Sequence, residues 1–517
     1  MAVRQSVIKV YSCFADGMAG KLSEIEVSLN PGIPTFDVIG LCDSSIRESR
    51  GRIHAALISA GFSMPKGHIT VSISPAYMRK SGSAFDLPIA IGILLASRQL
   101  PMPLNSRIYS EGELSLKGEI KGTPGSALRL KICAGEIFDM VIIPEEERTA
   151  AACAGLKGMT ITHLTNLDNI FIYKEYVAED FRDKRKDEET AVRSAEMIDY
   201  AVLKGQEKAA RAILLAAAGR HNLMLLGSPG CGKSIAAKII SGILPPLDDD
   251  EWSDVFSVYE AAGLTDDRNT ISRARPIRRV YPGLTVSKLL GGGRSMKPGE
   301  LALSNHGVLF ADEICEYSNE VIDALRVPLE EHLVRINRDG QTYSFPASCI
   351  FVGAGNPCRC GMLYEGRCKC TNDAKRRYAR KLSGPFLDRI DIFCEMRSVG
   401  KEDLASIAVP EKERMSPMLQ GRVAEAWERQ KERYAVIGPY IFNGTVETDA
   451  PGELMRADDS VINAAVEAAG RSGMTARGFV RLLKVGRTVA DLDGRSDMVT
   501  SDIAEAALFR DSLLINA

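Results

Sequence analysis

Apolar and polar positions alternate along residues 24–29, and again along 69–74, the period of a strand with one buried face. Between them Ile46, Ile53, Leu57 and Ala60 recur at helical spacing, with Ser45 and Glu48 as a capping box and Gly61 as a stop. The first 177 residues therefore predict a mixed α/β domain. A second α/β pattern follows, with continuous apolar runs at 222–226, 307–311 and 349–354 and a hairpin at 334–338 and 341–345 turned by Asp339-Gly340. After Lys401 the pattern turns helical: 424–434 is charged, 461–469 is alanine-rich, and 477–492 carries Leu482, Leu483, Val485 and Val489 on one side. Arg477, Arg481 and Lys484 share a second face of that last helix. Residues 179–189 are dense in charge of both signs and nearly free of apolar side chains, which favours a solvated linker, with a frayed helix as the variant. The expected boundaries are a first domain at 1–178, a charged linker at 179–196, an α/β core at 197–400 and a helical domain at 401–517.

Composition narrows the class. A chain of 517 residues has the length for several domains, and its net charge of -2 gives no whole-chain pull toward nucleic acid or an anionic surface. The longest apolar run, 87–96, is too short to cross a bilayer, and residues 1–10 lack a signal-peptide core. Twelve cysteines without a secretory signal suggest reduced thiols and a metal site rather than a disulfide framework. A cytoplasmic protein with no membrane partner is expected.

The strand at 222–226 and a helix at 235–243 bracket Gly227-Ser228-Pro229-Gly230-Cys231-Gly232-Lys233-Ser234. Two glycines framing four residues, then Lys-Ser, is the pattern that wraps a phosphate chain. Glycine lets backbone N–H groups converge inward, and the helix N-terminus adds partial positive charge. Lys233 is placed for the β- and γ-phosphates and the Ser234 hydroxyl for Mg²⁺, so ATP with Mg²⁺ is the expected ligand. Cys231 reads as a small filler whose thiol pKa the helix N-terminus can lower.

The apolar run at 307–311 ends in Asp312-Glu313. In P-loop enzymes the first acid helps hold Mg²⁺, and the second can take a proton from the attacking water. The run at 349–354 closes on Gly355-Asn356-Pro357, where Asn356 suits a sensor of the γ-phosphate or, alternatively, a turn former before proline.

These motifs, with Lys297-Pro298-Gly299-Glu300, Cys358 after Pro357, and Gly384-Pro385-Phe386-Leu387-Asp388-Arg389-Ile390-Asp391, resemble the magnesium-chelatase-like AAA+ ATPases. More narrowly the chain resembles the ComM-type competence proteins, relatives of the minichromosome maintenance helicases. Residues 74–88 and Gly112-Glu113-Leu114 resemble the Lon-protease-like domain that begins those proteins, and with Thr475-Ala476-Arg477 the likeness covers almost the whole chain. The resemblance implies a Lon-protease-like (ribosomal S5-like) α/β domain, a P-loop AAA+ α/β core with a four-cysteine insertion, and a small α-helical lid. It further implies that Arg389 is an arginine finger and Arg477 a second sensor, both acting on a neighbour's ATP in a homo-oligomeric ring, a hexamer. Lon proteases use a Ser–Lys dyad. The matching loop here, Gly122-Thr123-Pro124-Gly125-Ser126, has no lysine, so a scaffold or protein-partner-binding domain is expected; Lys121 and Lys131 leave a shifted dyad open.

Three basic segments point to a polyanion. Residues 268–297 contain Arg273, Arg275, Arg278, Arg279, Lys288 and Arg294 and no acid; Arg335 and Arg338 lie on the hairpin; Lys375, Arg376, Arg377, Arg380 and Lys381 form a third group. Phosphate contacts need such charge and carry no sequence information, so sequence-independent DNA binding is expected, a solvated or inter-subunit surface being the alternative. In the related helicases an insert and a hairpin at the matching places line the pore; the histidine pair usual in the family is Tyr281-Pro282 here. Cys358-x-Cys360 and Cys368-x-Cys370 suit a tetrahedral structural Zn²⁺, with free thiols or a redox pair as the alternatives. The six histidines show no ligand spacing. The expected activity is a MgATP-driven ring motor on DNA, by resemblance a branch-migration helicase of recombination or natural transformation. A chelatase-type ATPase that remodels a protein partner and a nucleotide-switched scaffold are the other readings.

Overall fold

A computed structural model describes residues 7–16, 18–40, 44–76, 82–103, 106–181, 199–203, 205–265, 272–293, 296–338, 341–397 and 415–510. The turn at Asp339-Gly340, Arg294, and most of the 179–196 segment lie outside them. The chain divides into two compact units, one of Met1–Val192 with Asp248–Ile271 and Asn337–Ser344, the other of Arg193–Leu247, Ser272–Ile336 and Phe345–Ala517.

The first unit is built on an eight-stranded mixed sheet. From one edge the strands are Glu179–Asp180, Lys157–Ile161, Met140–Pro144, Ile108–Ser110, Ile8–Asp16, Ala19–Asn30, His68–Ile73 and Thr35–Ile39. The long hairpin of Ile8–Asp16 and Ala19–Asn30 follows from alternation: Val10, Ile25 and Val27 are fully buried while Lys9 and Glu24 pair on the outer face at 2.8 Å. Residues Asp86 to Leu95 of the helix Asp86–Ala96 are all buried, which requires a partner for the one charge among them. Arg52 supplies it, with its Nε donating to Asp86 Oδ2 at 2.8 Å. Two sequence expectations shift here. Ser45 lies inside the helix Ser44–Ser59 instead of ahead of it, and its side chain is outside the described residues. Glu179 and Asp180 form a short strand against Lys157 and Gly158.

The helix Asp249–Ala262, opened by a capping box of Asp248 and Glu251, belongs to this first unit although it follows the phosphate loop in the chain. Its Glu260 carboxylate accepts from the Ser126 hydroxyl at 2.6 Å and from the amides of Ser126 and Ala127 at 3.0 and 2.8 Å. Its Asp254 takes the Lys131 ammonium at 2.6 Å. A Ser–Lys dyad needs the amine on the serine hydroxyl. Lys131, one of the two lysines that leave a shifted dyad open, is engaged by the Asp254 carboxylate instead.

The second unit holds a five-stranded, all-parallel sheet in the order Ile277–Val280, Val308–Ala311, Ile350–Gly355, Leu223–Gly227, Ile392–Met396. Its three central strands are buried throughout, as the continuous apolar runs predict. The helices Ser416–Tyr434, Asp459–Arg471, Ala476–Leu492 and Thr500–Ala507 share a single core with this sheet and its flanking helices Glu207–Gly219 and Lys233–Ile243, with Trp427, Leu482, Leu483 and Val489 among its members.

One charge network joins the last strand to these helices. Asp391, 1 % exposed, accepts from the Asn222 amide at 2.9 Å and from Arg481, with His221 Nδ1 at 3.5 Å. Burial pushes this carboxyl up, but Arg481 and His221 outweigh burial and hold it well below the usual carboxylate range. A carboxyl depressed in the folded state adds stability that is present above its unfolded pKa of about 3.9 and is lost as pH falls below that value. Arg481→Ala strands this buried charge and is expected to cost about 3–5 kcal/mol at neutral pH, read as a lowered urea midpoint; an unchanged midpoint would show that the network carries no stability.

Candidate nucleotide and metal sites

The catalytic candidates collect at the carboxyl edge of the parallel sheet, where ligands of open α/β sheets bind. Leu223–Gly227 ends in a turn whose Gly230 and Gly232 take φ of +81° and +95°, and the chain then enters the helix Lys233–Ile243. Gly227 cannot carry a side chain: a Cβ there would stand 2.5 Å from the Met396 carbonyl and 2.6 Å from Cys231 Sγ. At Gly230 a Cβ would meet nothing within 4 Å, so the loop opens on that side, as a cradle for phosphates must. Lys233 Nζ donates to the carbonyls of Gly227 and Ser228 at 2.7 and 3.0 Å and to Asn356 Oδ1 at 3.2 Å. Burial raises the Cys231 thiol despite Lys233 beside it, so the lowering expected from the helix N-terminus is not found and Cys231 fills space.

Ser234 Oγ lies 3.4 Å from Asp312 Oδ2, which brings the two expected Mg²⁺ ligands together across the sheet edge. Asp312 Oδ1 accepts from the Glu313 amide at 3.1 Å, and Glu313 itself adopts a φ of +51° with an exposed side chain. A non-glycine residue in the left-handed region is strained and persists where the surrounding structure imposes it. Lys233, Ser234, Asp312 and Asn356 thus form one cluster. The donor set, a lysine, a hydroxyl and a carboxylate beside an inward-turned glycine loop, fits a nucleotide triphosphate with Mg²⁺.

Arg389 and Arg477 form a second cluster. Arg389 donates to the Pro385 carbonyl at 2.5 Å and pairs with Glu330, and Arg477 reaches the other oxygen of Glu330 at 3.3 Å. Neither bonds a residue of the phosphate loop. Arg477 lines a groove of about 500 Å³ with Glu330, His332, Glu447, Arg481 and Lys484. Glu330 is missed by sequence reading, because nothing local marks it as the acid that gathers two arginines distant in the chain.

Four arginines of the acid-free run are held by the fold, whereas Lys288 is exposed and Arg294 lies outside the described residues. Arg273 donates to the Leu247 carbonyl, and Arg275, buried, donates to the Pro245 and His306 carbonyls at 2.6 and 2.7 Å beneath the Trp427 ring. Arg278 pairs with Glu300 at 2.7 Å. Arg279 pairs with Asp312 at 2.5 Å and lies over Tyr281, which adds it to the first cluster. The acids that meet these arginines lie beyond the run, where composition along the chain does not show them. Arg335 pairs with Glu331. Among the described residues Arg376, Arg377 and Arg380 stay exposed, while Lys381 meets Glu316 at 3.5 Å.

The sulfurs of Cys358, Cys360, Cys368 and Cys370 all lie within 4.8 Å of one another. The Met362 amide and the neighbouring Cys358 lower the Cys360 thiol to about 6, while burial raises Cys358 to about 12 and the Cys370 thiol is raised as well. Four convergent sulfurs in a loop without a core of its own fit a closed tetrahedral site.

A five-stranded parallel sheet, with a phosphate loop on one strand, an acid pair on another and a polar tip between them, defines a P-loop ATPase of the AAA+ type. The chain belongs to the magnesium-chelatase ChlI family. Residues 199–404 match the family model described as magnesium chelatase, subunit ChlI, residues 25–147 match subunit ChlI of Mg-chelatase, and 413–510 match the ChlI C-terminal model. It is 33% identical to the competence protein ComM of Haemophilus influenzae over 98% of this chain and 97% of that one. It is 32% identical to the uncharacterized protein YifB of Escherichia coli, over 95% of each. Likeness to the magnesium-chelatase 38 kDa subunit of Cereibacter sphaeroides, at 26% identity, covers 31% of this chain and 52% of that protein. Among the described residues no helix is long and apolar enough to cross a membrane.

Proposed function

We propose that this protein is a cytoplasmic, hexameric ATPase that hydrolyses MgATP and uses the cycle to move along DNA, as a branch-migration motor in recombination or in the uptake of DNA. The convergence of Lys233, Ser234, Asp312 and Asn356 carries the ATPase part of this reading. Lys233 turns from the loop carbonyls to the β- and γ-phosphates, Asn356 senses the γ-phosphate, and Glu313 takes the proton of the attacking water on its exposed carboxylate. Mg²⁺ held by Ser234 and Asp312 would neutralise charge on the phosphate oxygens. Arg389 and Arg477 stabilise charge in the pocket of a neighbouring copy, and their retention on Glu330, away from their own phosphate loop, supports an action across subunits. Likeness to ComM along the full length favours DNA as the track, and the exposed arginines 376, 377 and 380 suit its backbone. The four cysteines hold a structural Zn²⁺, and the first unit docks a protein partner without peptidase activity.

Glu313→Gln is expected to bind a fluorescent ATP analogue within threefold of the parent while turnover, with and without DNA, falls at least ~100-fold. Unchanged turnover would remove Glu313 from the mechanism, and a parent ATPase rate indifferent to DNA would contradict the motor. Acid-denatured protein is expected to release roughly one zinc per chain to a colorimetric chelator and Cys368→Ser far less, whereas release of no zinc from the parent would contradict the metal site.

A further inference from the structure

Arg279 lies on the two atoms that the metal site needs. Its Nη2 donates to Asp312 Oδ2 at 2.5 Å and stands 3.5 Å from Ser234 Oγ, while those two oxygens are 3.4 Å apart. One guanidinium nitrogen thus faces both oxygens expected to hold Mg²⁺. The register of the sheet puts it there. In the parallel pair of Ile277–Val280 with Val308–Ala311, Arg279 lies opposite Phe310, and the Asp312 amide donates to the Val280 carbonyl at 3.2 Å.

Its neighbour on the strand is held otherwise. Successive side chains of a strand point to opposite faces, and Arg278 donates to both oxygens of Glu300, at 2.7 and 3.1 Å. The Arg279 side chain is 38% exposed, on the outer strand of the sheet. Its guanidinium lies over the Tyr281 ring at 4.8 Å and beside the Phe310 ring at 5.5 Å. These ring faces attract the cation without help from Asp312, so the guanidinium can leave the carboxylate and stay against the rings.

We infer that Arg279 is the resident counter-ion of the metal site and must release Asp312 for Mg²⁺ to bind there. This rests on the MgATP reading above and adds what competes with the metal and where the displaced charge goes. Mg²⁺ keeps an octahedral shell of oxygens, its waters included, at about 2.0–2.1 Å. The gap between Ser234 and Asp312 that such a shell fills is the one the guanidinium spans. Two cations a few ångströms apart also repel, so arginine and metal are alternatives on Asp312. While Arg279 is on the carboxylate it screens Asp312 from an incoming triphosphate, and it raises the Mg²⁺ concentration at which the metal takes its place. The apparent metal affinity is the intrinsic one reduced by the fraction of chains in which Arg279 has let go.

Binding of a fluorescent ATP analogue to the full-length protein, titrated from excess EDTA to saturating Mg²⁺, tests the exchange. Arg279→Ala is expected to lower the Mg²⁺ concentration of half-effect by roughly fivefold or more, because Asp312 is then open to the metal. In EDTA the same variant is expected to bind the analogue more weakly than the parent, because Asp312 has lost its counter-charge. A merely damaged site would bind more weakly at every Mg²⁺ concentration and would not need less metal. Arg279→Lys keeps a charge without the planar fork and is expected to fall between the two. An Arg279→Ala titration that overlays the parent's overturns the inference while the MgATP reading stands. Weaker binding by Arg279→Ala at saturating Mg²⁺ also overturns it and assigns Arg279 to the bound triphosphate instead. A parent that fails to bind the analogue, or binds it alike with and without Mg²⁺, ends the MgATP reading and this inference together.

Discussion

The turn at Gly227 is the constraint on which the rest of the ATP site depends. There the end of one buried strand, the carbonyl of Met396 on its neighbour and the buried Cys231 sulfur leave no room for a Cβ. With the strand pinned, the next residues must rise as a left-handed glycine turn and enter a helix, and that path aims Lys233 back over the turn toward Asn356. The parallel order of the sheet does the remainder. It sets the strand that ends at Gly355 between the phosphate-loop strand and the strand that delivers Asp312, so three segments distant in sequence present polar tips at one edge.

Charge in this chain is stored against charge. Asp312 is met by Arg279, Lys233 by three oxygens, and Arg389 and Arg477 by one Glu330. Partnerships of this kind keep costly polar and charged groups satisfied. They also explain why a count of arginines along the sequence overstates what is available to a polyanion. Arg275 is a core residue under Trp427, whereas Arg377, with the same formal charge, stands in solvent.

What the sequence revealed was local. The phosphate loop and the strand tips at Asp312 and Asn356 were legible because glycine spacing and the end of an apolar run are properties of a few neighbouring residues. Three helices after residue 415 were legible, two from charged or alanine-rich composition and the third, Ala476–Leu492, from its amphipathic spacing. Glu330 and Glu260 were not, since each acquires its role from a partner supplied by the fold: two arginines and the amino end of the helix Ser126–Ala134. The helix Asp249–Ala262 was read with the segment that surrounds it in sequence, and only its contacts through Glu260 and Asp254 show that it packs with the first unit.

The central claim is that one copy's Arg389 completes another copy's ATP pocket, and subunit mixing tests it most directly. On the proposed function, Lys233→Ala would lose the phosphate grip and Arg389→Ala the donated charge, so each protein alone should be inactive. Mixed and allowed to exchange subunits, they can place the intact phosphate loop of one beside the intact Arg389 of the other, and ATPase activity should reappear. Mixed assemblies that remain as inactive as either parent would show that each chain works its own ATP alone.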